Sequence, residues 1–473
     1  MEVAALSSPP TTGSKSSLSW RAALLVTAAL LSLPVLVIIA SLALPFSDTW
    51  GHIAENVLWD YTRNSLLLAL GVSLGTLLLG VSSAWLTAMC EFPGRRFFSW
   101  ALLLPMAMPA YIIAYTYTGL LDFAGPLQTA LRDFFNWGYG VYYFPSIRSL
   151  GGAVCMLSLV LYPYVYLLAR VAFEAQSTAL LEASRSLGRG PWRTLFEVAL
   201  PMARPAIAAG LSLALMEALA DYGTVEYFGV SVFTTGIFRT WYGLGELQTA
   251  AQLAAFLLLF VFALLVLERD SRRNIRFQHS TTRQQPPRLY LNGWRGISCF
   301  LLAALILSLG FLLPAGQLLW WATDHWQGIF NGAFLALVGN SFLLAAMAAL
   351  CCLLVALLLG YGKRLHPGPL ENSAVRVSSM GYAVPGTVIA VGVLLPLAWL
   401  DNTIDSLMRT HFGFSTGLLL SGTLFALVFA YTVRYLSVAL QSVEAGLARI
   451  RPSIDESARS LGSSPGRVLR RIH

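Results

Sequence analysis

Charged residues are scarce in this chain of 473 residues. Asp, Glu, Lys and Arg together make up 11% of it, whereas hydrophobic residues make up 56%. An ordinary soluble domain has roughly 25% charged residues, because it must cover its apolar interior with a polar surface. The composition therefore excludes a typical water-soluble fold and indicates an integral membrane protein.

Sequence signatures of catalysis are also missing. The chain contains no GxxxxGK[ST] phosphate-binding loop, no HExxH pair and no serine nucleophile elbow. Its five cysteines lack metal-ligand spacing, and its six histidines are scattered along the chain. We therefore predict a protein that is not an enzyme, with no metal site and no bound cofactor, so that any ATP would act through a partner chain.

What the sequence has instead is a series of long apolar stretches. Each is close to or longer than the length of about 20 residues that a helix needs to cross a bilayer core. Ten spans are predicted, at 22–44, 64–88, 100–121, 150–170, 203–220, 249–267, 298–321, 340–362, 378–399 and 417–439. The predicted fold class is all-α integral membrane.

Basic residues are distributed unevenly between the connections. If the N-terminus is cytoplasmic, the inward segments hold 26 of the 31 Lys and Arg residues, including all seven from Arg434 to Arg471. Only five are left for the outward segments: Arg63, Arg132, Arg148, Arg239 and Arg409. This asymmetry follows the positive-inside rule. The net charge of +8 is thus interpreted as membrane topology, and nucleic-acid binding is not expected.

The sequence also contains an internal repeat. Asn64-Ser65 recurs as Asn340-Ser341, and Met108-Pro109-Ala110 recurs as Val384-Pro385-Gly386, both 276 residues later. A third segment, 182–188, recurs at 456–462. Because both copies of this segment are predicted to be cytoplasmic, the repeats run parallel. We predict a cytoplasmic tail at 1–20, a first transmembrane unit at 21–267, a basic linker at 268–297 and a second transmembrane unit at 298–473.

The third repeated segment carries a spaced motif. Its first copy has Glu182-Ala183-Ser184, then Gly188 and, after nine residues, Val198-Ala199-Leu200-Pro201; its second copy has Glu456-Ser457-Ala458 and Gly462. The pattern resembles the EAA signature of permease subunits of binding-protein-dependent ATP-binding-cassette importers, commonly E-A-A-x-x-x-G, nine residues, I-x-L-P. Ser184, Val198 and Ser457 are mild departures. The resemblance covers nearly the whole chain.

The resemblance implies two parallel six-helix permease units in a bacterial inner membrane. Each motif would form a helix–turn–helix that docks on an ATPase subunit, and the ATPase pair would be a homodimer. A periplasmic binding protein would deliver the substrate. The second unit appears truncated after His473, where we expect about 70 further residues by comparison with the first copy.

The residue types in the motif suit such a docking loop. Gly188 can adopt the left-handed geometry that ends a helix, small residues such as Ala183 allow close approach of a partner, and Pro191 can start the second helix. Glu182 can pair with basic groups on the partner. For a single copy, an ordinary amphipathic hairpin with solvated charges remains an alternative.

Five further residues are candidates for the transport pathway. Prolines inside a span break backbone hydrogen bonds, which is tolerated where protein or a water-filled cavity satisfies the freed groups, although packing kinks would look the same. Acidic residues near a span indicate a pathway or an interfacial role. The candidates are Pro109, Glu217, Asp221, Tyr222 and Pro385.

The outward segment around 221–241 bears on the substrate. It resembles the corresponding loop of ferric-iron importer permeases, and permeases for thiamine and aminoethylphosphonate are related alternatives. Its carboxylate and phenol oxygens suit Fe(III), a hard cation, but Asp221 and Tyr222 could equally cap the preceding span. A secondary transporter of the major-facilitator type and a membrane-embedded enzyme are the alternatives from other classes.

Overall fold

Helices dominate the structure, a computed structural model that describes residues 13–138, 140–176, 182–184, 186–272, 288–329 and 331–471. In chain order the α-helices are α1 (Gly13–Ser41), α2 (Asp48–Asn56), α3 (Leu58–Met89), α4 (Arg95–Ala101), α5 (Ala110–Leu121), α6 (Pro126–Phe135), α7 (Leu150–Glu174), α8 (Pro191–Thr194), α9 (Leu200–Ala220), α10 (Gly223–Tyr227), α11 (Phe233–Phe238), α12 (Leu247–Arg272), α13 (Trp294–Leu307), α14 (Leu313–Ile329), α15 (Gly332–Leu365), α16 (Pro369–Ser378), α17 (Gly386–Phe412), α18 (Leu424–Ala448), α19 (Pro452–Ser460) and α20 (Pro465–Arg471).

Irregular helical segments connect several of these helices. π-Helical turns lie at Leu195–Ala199, Arg239–Gly243 and Ser308–Leu312, and 3-10 turns lie at Leu104–Ala107 and Ser379–Ala383. The strands β1 (Cys90–Glu91) and β2 (Leu289–Tyr290) form one short parallel pair, with Cys90 opposite Leu289. Half of the predicted linker at 268–297, residues 273–287, lies outside the described residues.

The helices confirm the predicted all-α membrane fold. Among the described residues, eight helical segments are long and apolar enough to cross a membrane, judged by length and composition. A ninth span is possible if the pair Arg95–Ala107 and Ala110–Phe135, which is bent by 92°, counts as one. The sixth predicted span, 249–267, corresponds to α12, whose apolar part at Leu247–Ala263 is shorter than the prediction.

The two repeated prolines produce the same local structure. In each copy a 3-10 turn ends in an extended residue, Met108 with ψ 125° or Val384 with ψ 129°. The proline follows as the N-cap residue of a new helix, α5 or α17. Proline forces the preceding residue out of helical geometry and has no N–H of its own to leave unpaired. The prediction that Pro109 and Pro385 interrupt their spans is therefore confirmed.

The chain divides by contact into two compact units, one of which, the 46–330 unit, comprises Phe46–Phe330. Within the 46–330 unit, glycines allow α7 to pack closely against its neighbours. On α3, Gly71, Gly75 and Gly80 face α7, where a Cβ atom would approach side-chain atoms to within 2.2–2.8 Å. On α9, a Cβ on Gly210 would lie 2.7 Å from both the carbonyl oxygen of Tyr164 and the Cα of Val165. Small residues at such helix contacts are typical of membrane proteins, because they bring backbones together.

The other compact unit combines the first helix with the end of the chain. This composite unit comprises Met1–Pro45 and Asn331–His473. In it α1 packs against α15, α16 and α17, and Arg21 on α1 donates a 2.6 Å hydrogen bond to the buried carboxylate of Glu371 on α16. The backbone N–H of Glu371 and the Arg21 guanidinium hold the pKa of the Glu371 carboxyl below its ordinary value, although burial acts to raise this pKa.

The predicted transmembrane units therefore do not coincide with the packing units. The prediction placed α1 in the first unit, 21–267, and α13 and α14 in the second, 298–473. By contact, α1 belongs with the later helices, whereas α13 and α14 belong with the earlier ones. Within the 46–330 unit, Tyr117 on α5 donates a 2.6 Å hydrogen bond to the carbonyl of Leu309, and Phe98 packs edge-on against Phe300 of α13. Such tertiary contacts, absent from any sequence pattern, decide the division.

We predict that Gly210→Ala lowers the stability of the protein. The added methyl group would press on backbone atoms of α7, which cannot move aside like a flexible side chain, and overpacking of this kind costs about 1–3 kcal/mol. The apparent melting temperature of the detergent-purified protein should fall. Gly316→Ala in α14 is the matched control, because its Cβ would meet nothing within 4 Å. Equal melting temperatures for the two variants would contradict the prediction.

Candidate functional site

The first copy of the repeated motif forms a helix–turn–helix. Helical residues 182–184 and 186 are followed by Gly188, which has a φ of +75°. The N–H of Arg189 donates to the carbonyl of Ser184 at 3.2 Å, and the N–H of Leu187 donates to Ala183 at 3.0 Å. These bonds around a left-handed glycine are those of a helix C-terminal cap. α8 then begins at Pro191, as predicted.

The second copy forms the same turn. Gly462 has a φ of +81°, the N–H of Ser463 donates to Ala458 at 3.0 Å, and the N–H of Leu461 donates to Ser457 at 3.1 Å. Every donor and acceptor corresponds to its counterpart in the first copy at an offset of 274 residues. The left-handed geometry predicted for Gly188 is thus confirmed, and it recurs in both loops. We call residues 182–199 the first loop and 452–471 the second loop.

The two loops expose equivalent residues. Glu182, Ala183, Glu456 and Ser457 are all exposed, whereas Ser184 is buried and Ala458 half-buried. Each loop also presents a leucine immediately before its glycine, Leu187 at 78% and Leu461 at 86% exposure. The first loop adds two exposed aromatic side chains, Trp192 and Phe196, whose rings are stacked. An exposed apolar surface rimmed by charged residues is typical of a protein-interaction site.

The loops differ in how they are anchored. In the first loop the hydroxyl groups of Ser184 and Thr194 lie 3.1 Å apart, which joins the two helices. In the second loop the buried Asp455 pairs with Arg364 of α15 at 2.6 Å, and Arg364 also donates to the carbonyls of Leu447 and Ile450. The turn is shared between the repeats, but its attachment to the membrane helices is specific to each.

Three of the five predicted pathway residues meet at one cavity. Pro109, Glu217 and Asp221 line a space of about 220 Å³ in the 46–330 unit, together with apolar residues of α7. Tyr222 instead packs its ring against Phe238, with centroids 4.2 Å apart. Pro385 belongs to the composite unit. The structure therefore brings together part of the predicted set.

Asp221 acts as the cap of α10. Its carboxylate accepts hydrogen bonds from the N–H of Thr224 at 2.9 Å, from the N–H of Val225 at 3.2 Å and from the Thr224 hydroxyl at 3.1 Å. Farther along the same segment, Glu226 pairs with Arg239 at 3.3 Å. Both carboxylates are thus engaged in holding the segment together. Within the described ranges, no group of three or more His, Cys, Asp and Glu residues is placed to hold a metal ion.

A second polar cavity was not anticipated from the sequence. It lies in the composite unit, has a volume of about 440 Å³ and is lined by residues of α15, α16 and α18, including Lys363, Arg376, Ser437, Gln441 and Glu444.

The prediction that Arg434 belongs to an inward connection is wrong, because Arg434 lies within α18. The predicted span 417–439 already contained this arginine, and that position was the signal that could have identified it.

Comparison with known proteins places the chain in a family. The family model described as "binding-protein-dependent transport system inner membrane component" matches residues 76–269. The molybdenum transport system permease protein ModB of Escherichia coli K12 is 31% identical over 176 residues, which cover 36% of this chain and 74% of that protein. The chain belongs to the binding-protein-dependent permease family. It is accordingly a multi-pass inner-membrane protein and an importer permease subunit.

Other relatives of this permease carry different substrates in their names. The Fe(3+)-transport system permease protein FbpB 2 of Haemophilus influenzae is 25% identical over 421 residues, covering 87% of this chain and 75% of that protein. A probable sulfate transport system permease protein, cysT of Chlorokybus atmophyticus, is 32% identical over 186 residues, covering 38% of this chain and 60% of that protein. Among solved structures, a bacterial alginate importer matches 51% of this chain and 90% of its own, with 16% identity and a TM-score of 0.42.

We predict that Asp221→Ala loosens α10 in this permease. Loss of a helix cap costs about 1 kcal/mol, so amide hydrogen exchange at residues 223–228 should accelerate by roughly fivefold in purified protein. Asp221→Asn is the control, because its amide oxygen can still accept the bonds from Thr224 and Val225. Unchanged exchange in the alanine variant would show that the carboxylate is not what holds this helix.

Proposed function

We propose that this permease is the membrane subunit of an ATP-binding-cassette importer that takes ferric iron from a periplasmic binding protein. Its two loops would each dock on one subunit of a homodimeric ATPase. ATP binding and hydrolysis would occur in those partners and would drive the membrane helices between outward-open and inward-open states. The permease itself would have no catalytic residues and would bind no cofactor.

The observation that carries this proposal is the turn that the first and second loops share, with a left-handed glycine and equivalent capping bonds. A loop with no shared task is free to diverge, yet both loops keep the same glycine conformation, the same capping bonds and the same exposed glutamate. Six predicted spans separate the loops, and an even number returns the chain to the same side of the membrane. Two equivalent docking loops on one side suit a symmetric pair of ATPase subunits.

The exposed residues define how each loop would bind its partner. Leu187, Trp192 and Phe196 offer apolar and aromatic anchors of the kind that dominate protein interfaces, and Leu461 offers one in the second loop. Glu182 and Glu456 are exposed on the first helix of each loop, where they could pair with basic groups on the ATPase. The basic segments near the loops support a cytoplasmic position for them and for the N-terminus.

The iron assignment is supported by the extent of the match to the ferric-iron relative. That match covers 87% of this chain, whereas the molybdenum and sulfate relatives match just over a third of it. Since Asp221 and Glu226 are engaged within their own segment, tight metal binding is assigned to the periplasmic partner.

Molybdate or sulfate is the second candidate substrate, because the molybdenum and sulfate relatives have the higher identities, 31% and 32%. Thiamine and aminoethylphosphonate remain alternatives from the sequence.

We predict that Gly188→Val uncouples transport from ATP hydrolysis. A β-branched residue is strongly disfavoured at a φ of +75°, and strain of about 1–3 kcal/mol would favour a different turn. Uptake by the reconstituted importer should fall about tenfold, while membrane insertion persists. Gly462→Val should act similarly if both loops share the work.

Two variants control for this effect. Gly188→Asn should retain transport, because asparagine tolerates left-handed geometry better than other residues with side chains. Gly190→Val should also retain it, since Gly190 has no positive φ and its Cβ would meet nothing within 4 Å. Normal uptake in Gly188→Val, or normal stimulation of the ATPase by loaded binding protein, would refute the coupling role.

The substrate can be tested directly in liposomes. The complete permease, its ATPase and its binding protein should be reconstituted, and ATP-dependent uptake of labelled ferric iron, molybdate, sulfate, thiamine and aminoethylphosphonate should be compared. We expect uptake of iron. Transport of one of the other compounds with none of iron would overturn the iron assignment but leave the importer assignment intact.

A further inference from the structure

One arginine bridges the joint between α18 and the second loop. Arg364 lies in the last turn of α15, and its side chain is 16% exposed. Its guanidinium donates hydrogen bonds to the carbonyls of Leu447 and Ile450. It also donates to the carboxylate of Asp455 at 2.6 Å, in the first turn of α19. These bonds tie the end of α18, the connection 449–451 and the start of α19 to α15.

The surroundings of Arg364 stabilise its positive charge. The last carbonyls of a helix carry a partial negative charge, which a cation stabilises, and Asp455 supplies a full negative charge. The Asp455 side chain is 2% exposed, so the Arg364–Asp455 ion pair lies away from water. Separating a buried pair leaves each charge uncompensated. The ion pair therefore strongly favours the bonded arrangement.

A tyrosine at the same end of α15 holds the other helix of the second loop. The Tyr361 hydroxyl donates to the carbonyl of Pro465, the first residue of α20, at 2.9 Å. The side chains of Tyr361 and of Val468 on α20 are both buried. α15 therefore contacts both helices of the second loop, one through Arg364 and the other through Tyr361.

The neighbouring lysine makes a different connection. Lys363 pairs with Glu444 at 2.8 Å, and both side chains are more than a third exposed. This pair joins α15 to α18 and does not reach the second loop. Exposed ion pairs also hold their partners weakly, because water and salt screen them. Arg364, and not Lys363, is thus the basic residue that fastens the loop to α15.

The first repeat has apolar residues at the corresponding positions. At an offset of 276, the counterpart of Arg364 is Ala88. At the loop offset of 274, the counterpart of Asp455 is Leu181. Ala88 belongs to an apolar cluster that also contains Leu195 of the first loop. The repeated architecture therefore does not require an ion pair at this place.

We propose that Arg364 is a positioning residue that makes the second loop and α15 move as one body. The proposal rests on the proposed importer function, in which an ATPase subunit docks on the loop and drives the membrane helices. A charge-assisted hydrogen bond fixes the relative position of its two groups, whereas packed apolar side chains can slide. Displacement of the second loop is thereby passed directly to a helix long enough to cross the membrane.

Replacing both partners separates this role from stability. A double variant, Arg364→Met with Asp455→Leu, removes the ion pair but leaves no buried charge unpaired, and such apolar replacements are often neutral or stabilising. The melting temperature of the purified permease should therefore stay close to that of the wild type. Arg364→Lys should retain part of the effect, because it can still pair with Asp455. Lys363→Gln is the matched control, since its pair does not reach the loop.

Distances between spin labels test whether the loop and the helix move together. Labels would be attached at Ser453→Cys in the second loop and Leu343→Cys in α15, both exposed positions, in full-length permease whose five native cysteines have been replaced. Leu343 lies about 30 Å from Arg364 along α15, at a rise of about 1.5 Å per residue. In the assembly with the ATPase, the wild-type distance should be the same without nucleotide and with ATP. In the double variant it should shift when ATP binds.

The ratio of uptake to ATP hydrolysis supplies the second measurement. With ferric citrate, molybdate and sulfate as probes, the double variant should lower uptake about tenfold while hydrolysis by the assembled importer changes by less than about twofold. The amount of substrate moved per ATP should therefore fall. A purely structural defect lowers both activities together and leaves this ratio unchanged. Lys363→Gln should behave like the wild type in both measurements.

The outcomes separate this proposal from the import function. A wild-type distance that shifts when ATP binds, or one that stays fixed in the double variant, would overturn the role of Arg364. An unchanged ratio of uptake to hydrolysis would also overturn it, including the case in which a lowered melting temperature accompanies equal loss of both activities. A distance fixed in the wild type and lost in the double variant, without ATP-dependent uptake of any probe, would support the role of Arg364 and refute the proposed import function.

Discussion

The hydrogen-bonding demand of the backbone inside a bilayer governs this structure. No water is present there to satisfy an unpaired N–H or C=O group, so each crossing segment must satisfy them internally, and only helices do so within a single segment. The predicted spans are interrupted at Pro109 and at Pro385, and both interruptions avoid an unpaired backbone N–H in the same way. Each proline supplies no N–H, and a new helix starts directly after it.

Close packing of these helices follows from the same environment. Lipid is as apolar as a leucine side chain, so helices gain little by burying apolar residues against each other and depend instead on close contact. The glycines on α3 and α9 permit that contact with α7, whose own side chains would otherwise hold the backbones apart. Contacts between distant parts of the chain, such as α1 with α17, then decide which helices form one compact unit.

The two repeats show which features the shared architecture requires. The proline breaks, the 25-residue helices α7 and α18 and the left-handed glycines of the loops are common to both. The anchoring of the loops and the polarity of the central helices differ. The two halves thus share a scaffold but differ in the polar groups that it carries.

The sequence by itself predicted the membrane class, most of the helical spans, a parallel repeat and the motif-bearing loops, because these predictions depend on local composition and on spacing along the chain. It also indicated the conformation of Gly188 and Gly462, since a helix that ends before a proline-led helix needs a residue that accepts positive φ. Only the tertiary structure decided that α1 packs with the later helices and that Glu217 and Pro109 share a cavity. Those outcomes depend on contacts between residues far apart in sequence. The position of Arg434 within a predicted span was visible in the sequence, whereas the cavity lined by Ser437 and Gln441 depends on how three separate helical segments pack.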